Sequence, residues 1–509
     1  MTSRSLLAAL LAATALALIA APALASSTQE SIIEDEHQML GLGPAEREAA
    51  LNDAQALGAD GIRVVVLWRA IAPAPDASKR PKGFDGKNPA AYPAPSWDSL
   101  DAVVRGAAAR GLKVLLSPSG PIPIWASQCR SGSGVNKRTC RPNPALYGAF
   151  VRALGTRYSG AYADEDGSGV LPRVDRWSFW NEPNQPGWLT PQFEFKSGRA
   201  VATAAKVYRS LARSGLAGLR ATGHSRDLRL LGETAPIGSS VSSCLRGRSG
   251  SSRSRCLARV KADPTTFIKA LFCLGNRTGL SCGGFKRLAV SGFAHHPYTR
   301  GGGVPPTTKP STPGEITIRS GSRLHRLLDQ GGRSGRIPKK LPIYYTETGF
   351  QTNPPDTIFG VRPAQQAAYI NQSDYMAYRD SRVKSMAQYI IVDEIPQSSF
   401  QSGLRDRNGA PKPSYTAWRL PLWVVKSGSG VRVWGQLRPL PDGAASQVAV
   451  QQASSPGAYE TVQTVTVNSA KGFFTLRIPN RSGGTWRLLW TPPSGGTPLE
   501  SREADVAPR

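Results

Sequence analysis

Beyond its opening segment the 509-residue chain has no uninterrupted apolar run near the ~18 residues that a membrane helix needs, so a helical membrane span is not expected. Cysteine is scarce: the six present form no CxxC, and no histidines stand at the spacing of a zinc site. A phosphate-cradling glycine loop is missing as well, so neither metal nor organic cofactor is expected. Acids are the minority sign, 35 Asp and Glu against 63 Lys and Arg, for a formal net charge of +28. Such a balance invites a polyanion. The charge reads as spread along the chain, apart from an excess at Arg246–Arg259, and no nucleic-acid-binding module accompanies it. No nucleic acid is therefore expected as partner. An acidic polysaccharide or anionic cell-wall polymer fits better, and a merely basic solvated surface fits as well.

The first 25 residues carry one arginine, an Ala- and Leu-rich run and an Ala-Leu-Ala end, the pattern of a cleaved secretory signal. A secreted, extracellular protein is the expectation. The cysteines lie close together in three local pairs, Cys129 with Cys140, Cys244 with Cys256 and Cys273 with Cys282, which suggests short stapled loops among the 15 possible connectivities. At 40% hydrophobic residues the chain has ample material for a large core.

Short runs rich in Val, Ile and Leu alternate with helical patterns. Eight candidate strands stand at 38–40, 62–68, 113–119, 174–182, 228–233, 288–298, 341–347 and 385–394. Helical segments between them open at proline or serine and close at glycine, as at 44–58 and 96–111. Eight βα units predict an α/β fold, a (β/α)8 TIM barrel over 26–424. The pattern then turns to short alternating segments with Gly, Pro and Ser turns. They predict a small C-terminal antiparallel, β-sandwich-like domain over 425–494, followed by a disordered tail at 495–509.

A barrel of this kind works at the C-terminal ends of its strands, so carboxylates placed there matter most. Glu182, in "WNEP", closes the fourth candidate strand and Glu347, in "YTETGF", the seventh. Two carboxyls about 5 Å apart across a cleft are what double-displacement glycoside hydrolysis requires. Strand alternation sends Asn181 and Glu182 to opposite faces, so both reach the cleft only where the strand bulges or twists. His296 and Tyr298, two apart, share a face. Trp68, Trp125 and Trp188, at or beyond strand ends, read either as flat platforms for sugar rings or as packing beneath rim loops. Glu233, Asp393 and Glu394 are reserve carboxylates that read more simply as surface or loop residues. Asp35 and Glu36 read as sugar contacts or solvated loop residues.

Together "IRVVVLW", "WNEP", "HHPY" and "YTETGF", in order at strands two, four, six and seven, resemble the clan A retaining glycoside hydrolases, near the family 5 cellulases and family 39 xylosidases. The resemblance covers roughly residues 30–420. It implies a carbohydrate substrate, β-linked, with Glu182 as acid/base, Glu347 as nucleophile and Asn181 on the sugar 2-hydroxyl. Arg63 would orient the nucleophile, and His296 and Tyr298 would line the site. A charge on Glu347 would hold Glu182 protonated, and Arg63 with Tyr298 would hold Glu347 ionised. Arg63 as a structural ion pair and His296 as a core histidine stay open. The eighth strand, "YIIVDEIPQ", lacks the tryptophan that such enzymes place there, and Trp418 comes late to replace it. A non-catalytic carbohydrate- or cell-wall-binding protein on the same barrel is the alternative.

Overall fold

The computed structural model describes residues 26–129, 136–275, 282–300, 303–396, 399–455 and 457–508, so the expected signal segment lies outside the described residues. Eight parallel strands close a barrel: β1 Glu30–Glu34, β2 Gly61–Leu67, β3 Lys113–Ser119, β4 Arg176–Ser178, β5 Leu228–Thr234, β6 Gly292–His295, β7 Ile343–Tyr345 and β8 Val383–Tyr389. Closure joins β1 to β8, with Glu34 opposite Tyr389 on one side and Arg63 on the other. Helices link the strands. Asn143 caps Pro144–Arg157 by accepting from the Ala145 and Leu146 amides, and Asp263 caps Pro264–Leu271 through the Thr266 amide.

Alternation fills the barrel in layers. At the bottom Glu30 pairs with Arg176 and Lys113. Above them Leu115, Leu230 and Ala294 form an apolar plug. Over the plug stand Arg63 and Glu34. An apolar layer thus separates the ion pairs at the bottom from the charged mouth.

The first strand corrects the sequence reading. Residues 38–40 lie in the single helical turn His37–Gly41, and β1 is the preceding ESIIE segment. Acids at both ends disguise that strand. Each is buried or nearly so, but neutralised by an arginine from a different strand, Glu30 by Arg176 and Glu34 by Arg63.

Beyond helix Pro413–Arg419 the chain forms β9 Leu422–Ser427, β10 Gly430–Gln436, β11 Ser446–Ser455, β12 Ala458–Val467, β13 Phe473–Ile478 and β14 Thr485–Trp490. One sheet runs β9-β10-β13. The other contains β12-β11-β14. The tail expected to be disordered adds β15 Leu499–Glu500 and β16 Ala504–Asp505, both paired with β14, and it caps the edge that β14 would otherwise leave open. This β unit docks on the barrel through Trp434, whose ring meets Tyr375 and Tyr378 of helix Pro363–Tyr378. Arg438 adds a buried stack on Trp418, with 4.4 Å from guanidinium to ring centre. The three disulfides join the expected pairs.

Candidate active site

The chain leaves regular pairing just where Glu182 is needed. β4 ends at Ser178, and both Trp180 (φ 66°) and Glu182 (φ 35°) take left-handed backbone. The Asn181 amide donates to Ser119 Oγ at 2.8 Å, tying the segment to the end of β3. That turn is the irregularity which brings Asn181 and Glu182 to the same cavity. β5 is irregular too: its register against β6 shifts between Leu231 and Thr234, with Gly232 at φ 119° and Glu233 at φ 46°. A Cβ on Gly232 would stand 2.4 Å from Ala294 O, so this bulge requires glycine.

Eight side chains meet in the mouth. Arg63, fully buried, donates through Nη1 to Glu347 Oε2 at 3.2 Å and through Nη2 to Asn181 Oδ1 at 2.7 Å and Glu233 Oε2 at 3.2 Å. Its Nη1 also lies 2.5 Å from Glu34 Oε2. Tyr298 donates to Glu347 Oε1 at 2.9 Å. His296, also fully buried, puts Nε2 2.8 Å from Glu233 Oε2. Its Nδ1 lies 3.2 Å from Glu182 Oε1 and 3.3 Å from Glu347 Oε2. One acceptor atom from each of Glu182, His296 and Glu347 falls within 4.8 Å of the others.

The electrostatics follow from one arginine among many acids. Burial opposes a charge on Glu233, but Arg63, His296 and the Thr346 hydroxyl outweigh it and bring its pKa down to about 2. Burial likewise opposes the imidazolium of His296, yet Glu347, Glu182 and Glu233 raise it to about 9. Glu34 is pushed well above the carboxylate range by burial, against Arg63 and with Glu36 and Glu347. Glu36 rises to about 7 for the same first reason. The set could offer three ligands to a metal, but a protonated His296 has no free lone pair and Arg63 already holds Glu347.

Both shifts carry stability. The His296 proton stabilises fully below its ordinary pKa of 6.5, and that contribution is lost as pH rises through about 9. The Glu233 charge stabilises fully above 4.5, and that is lost as pH falls through about 2. Glu233→Gln removes one of the charges holding the His296 proton. The ring, followed by NMR, should then titrate below about 9, moving toward 6.5. An unmoved midpoint would deny Glu233 this positioning role.

The tryptophans divide. Trp68 is 1% exposed and stacked on Phe150, and Trp125 is 8% exposed with its indole N–H on Pro73 O. Trp125 in turn meets Trp68 and Phe84 edge-on, each at 5.8 Å between ring centres. Trp188 keeps a partly exposed ring. Trp418, 2% exposed, belongs to the contact with the β unit. Asp35 is buried, accepting from the Ile391 and Val392 amides, and Asp393 is spent on Lys412 at 2.7 Å. Glu394 accepts from the Phe400 amide. Glu34 and Tyr389 were missed as site residues. Tyr389 ends β8, with Glu347, Glu34 and Glu36 around it and Phe400 5.1 Å away edge-on. It puts an aromatic ring near the place where the sequence offers no tryptophan.

No family model matches the chain, and no curated protein matches it. Among solved structures it is similar to a glucosidase from Croceicoccus marinus, at 11% identity and TM-score 0.49, covering 90% of this chain and 94% of that one. It is also similar to GH5_18 from Streptomyces cattleya in complex with GlcNAc, at 16% identity and TM-score 0.46, covering 78% and 79%. A β-glucosidase from Thermotoga maritima in complex with deoxynojirimycin shares 12% identity at TM-score 0.47, over 77% of this chain and 97% of that one.

Proposed function

We propose that the protein is a secreted retaining glycoside hydrolase acting on a β-linked oligo- or polysaccharide, with Glu347 as nucleophile and Glu182 as acid/base. The observation that carries this reading is the approach of the two carboxylates, with acceptor atoms within 4.8 Å at the mouth of the barrel. Retaining chemistry uses a separation of about 5–5.5 Å, whereas inversion needs about 6.5–9.5 Å to admit a water. The three disulfides and the signal-like leader support export.

In the first half-reaction a Glu347 oxygen attacks the anomeric carbon while the Glu182 proton passes to the departing glycosidic oxygen. The bond to the aglycone breaks as the glycosyl ester forms. In the second, Glu182 removes a proton from water, whose oxygen displaces Glu347. Arg63 and Tyr298 hold one rotamer of Glu347 by bonding both its oxygens. Asn181 spends its Oδ1 on Arg63, which leaves its amide N–H groups for a sugar hydroxyl. Tyr389 and Trp188 supply aromatic surface for the ring.

A panel of 2-deoxy-2-fluoro aryl β-glycosides of different configuration tests the reading. The expected outcome is a mass increase of one fluoroglycosyl unit on the peptide carrying Glu347. Labelling of another residue, or products of inverted configuration by NMR, would sink it. The lack of a tryptophan after β8 favours a second reading, a sugar-binding protein without turnover, for which calorimetry would show binding while the panel leaves every peptide unlabelled.

A further inference from the structure

The excess charge is less even than the sequence first reads. Residues 195–340 hold 27 lysines and arginines against five acids. Each of those acids is engaged locally: Asp227 with Arg173, Glu233 with Arg63, Asp263 as a helix cap, Glu315 with Arg300, and Asp329 with Arg382. That leaves a large local excess of cations.

Six of these cations gather toward the lower end of the barrel. Phe285 lies ahead of β6 and Arg336 ahead of β7, and the Leu288 amide donates to Arg336 O at 2.9 Å, joining the two segments. Arg336 and Arg209 both stack on Phe285, with guanidinium carbons 4.5 and 4.9 Å from the ring centre. Arg213 stands one turn further along the same helix as Arg209, and Lys286 and Arg287 follow Phe285 exposed. Lys339 closes the set. None of these six makes an ion pair among the described residues. Two guanidinium groups on one phenyl ring repel each other, and burial with the charges of Arg336 and Arg213 lowers the Arg209 pKa to about 10. The Nε atoms of Arg209 and Arg336 are buried without a partner. Gathering unpaired cations raises the free energy of the isolated fold, and a bound polyanion would reverse that.

We propose that this face, at the strand ends remote from Glu182 and Glu347, docks an anionic polysaccharide carrying carboxylate or sulfate groups. The disulfides belong to an oxidising compartment, where such polymers rather than nucleic acid are the expected polyanions. Guanidinium forks suit carboxylate and sulfate oxygens. Docking there leaves the mouth open, so the proposal stands apart from the catalytic reading.

The full chain is passed over immobilised polygalacturonate, heparin and uncharged dextran at rising salt. Binding to the two charged polymers, and not to dextran, should weaken as salt rises. The double variant Lys286→Glu with Arg287→Glu should bind about tenfold more weakly at low salt, with a shallower salt dependence. Lys79→Glu with Arg80→Glu, the same charge change on the exposed loop after β2, should lose under about twofold. Equal losses in both double variants, equal binding to dextran, or tighter binding to duplex DNA than to polygalacturonate would each overturn the proposal. Matching unfolding midpoints exclude a folding defect as the cause.

Discussion

Glu347→Ala should lower kcat on an activated aryl β-glycoside by about 10^4-fold or more, some 5.4 kcal/mol of transition-state stabilisation. The loss is large because both half-reactions pass through a bond to that carboxylate. It is also chemically specific. Azide can enter the space the side chain leaves and attack the anomeric carbon directly, so activity returns with a glycosyl azide of inverted configuration. Glu182→Ala with the same substrate should behave differently. A good leaving group needs little protonation, so glycosylation of Glu347 persists and deglycosylation becomes slow. Azide then attacks the glycosyl ester and the azide product keeps the starting configuration. Opposite product stereochemistry in the two variants, read by NMR, separates nucleophile from acid/base. The same configuration from both would deny the assignment even if both variants were inactive.

Much of the barrel was legible because seven of its strands carry an apolar stretch of their own, bounded by turn residues. β1 was not, because Glu30 and Glu34 read as solvated ends until β4 and β2 supply Arg176 and Arg63. That information lies far away in the chain. The same holds in the site. Glu182, Glu347, His296 and Tyr298 stand just beyond strand ends and Arg63 within β2, in a recognisable order, and the structure brings all five together. Glu233 was set aside as a reserve because its inward position depends on the Gly232 bulge, which strand periodicity does not announce. Trp68 and Trp125 show the opposite ambiguity. A large aromatic at a strand end has the same sequence signature whether it faces a ligand or the underside of a loop, and here Phe150 takes the Trp68 face. The C-terminal tail was misread for want of length, since two-residue strands become visible only once β14 offers them an edge.

Arg63 carries the largest expected stability effect. Among the described residues it is the one arginine that pairs with Glu34, Glu233 and Glu347. Burial opposes its own charge, and Glu233, Glu34, Glu347 and Glu36 together hold it charged well above the usual arginine range. Arg63→Met keeps the length of the side chain and removes the cation, leaving His296 alone against the carboxylates. Deleting one partner of a buried pair costs about 3–5 kcal/mol, and here three contacts lose their partner at once. The sign of its pH dependence distinguishes this from a packing defect. Without Arg63 the buried Glu233 loses its strongest charge partner and can relieve the repulsion only by binding a proton, so its pKa in the folded variant rises above the unfolded value. The variant is therefore penalised progressively as pH climbs above the ordinary 4.5 of a glutamate. Urea unfolding at pH 5 and pH 8 should show a smaller difference from the parent at the lower pH, because the Glu233 charge of the parent, with its pKa near 2, contributes equally at both. A deficit that is the same at both pH values would mean that the methionine merely packs badly, and that the cluster does not depend on this guanidinium for its charge.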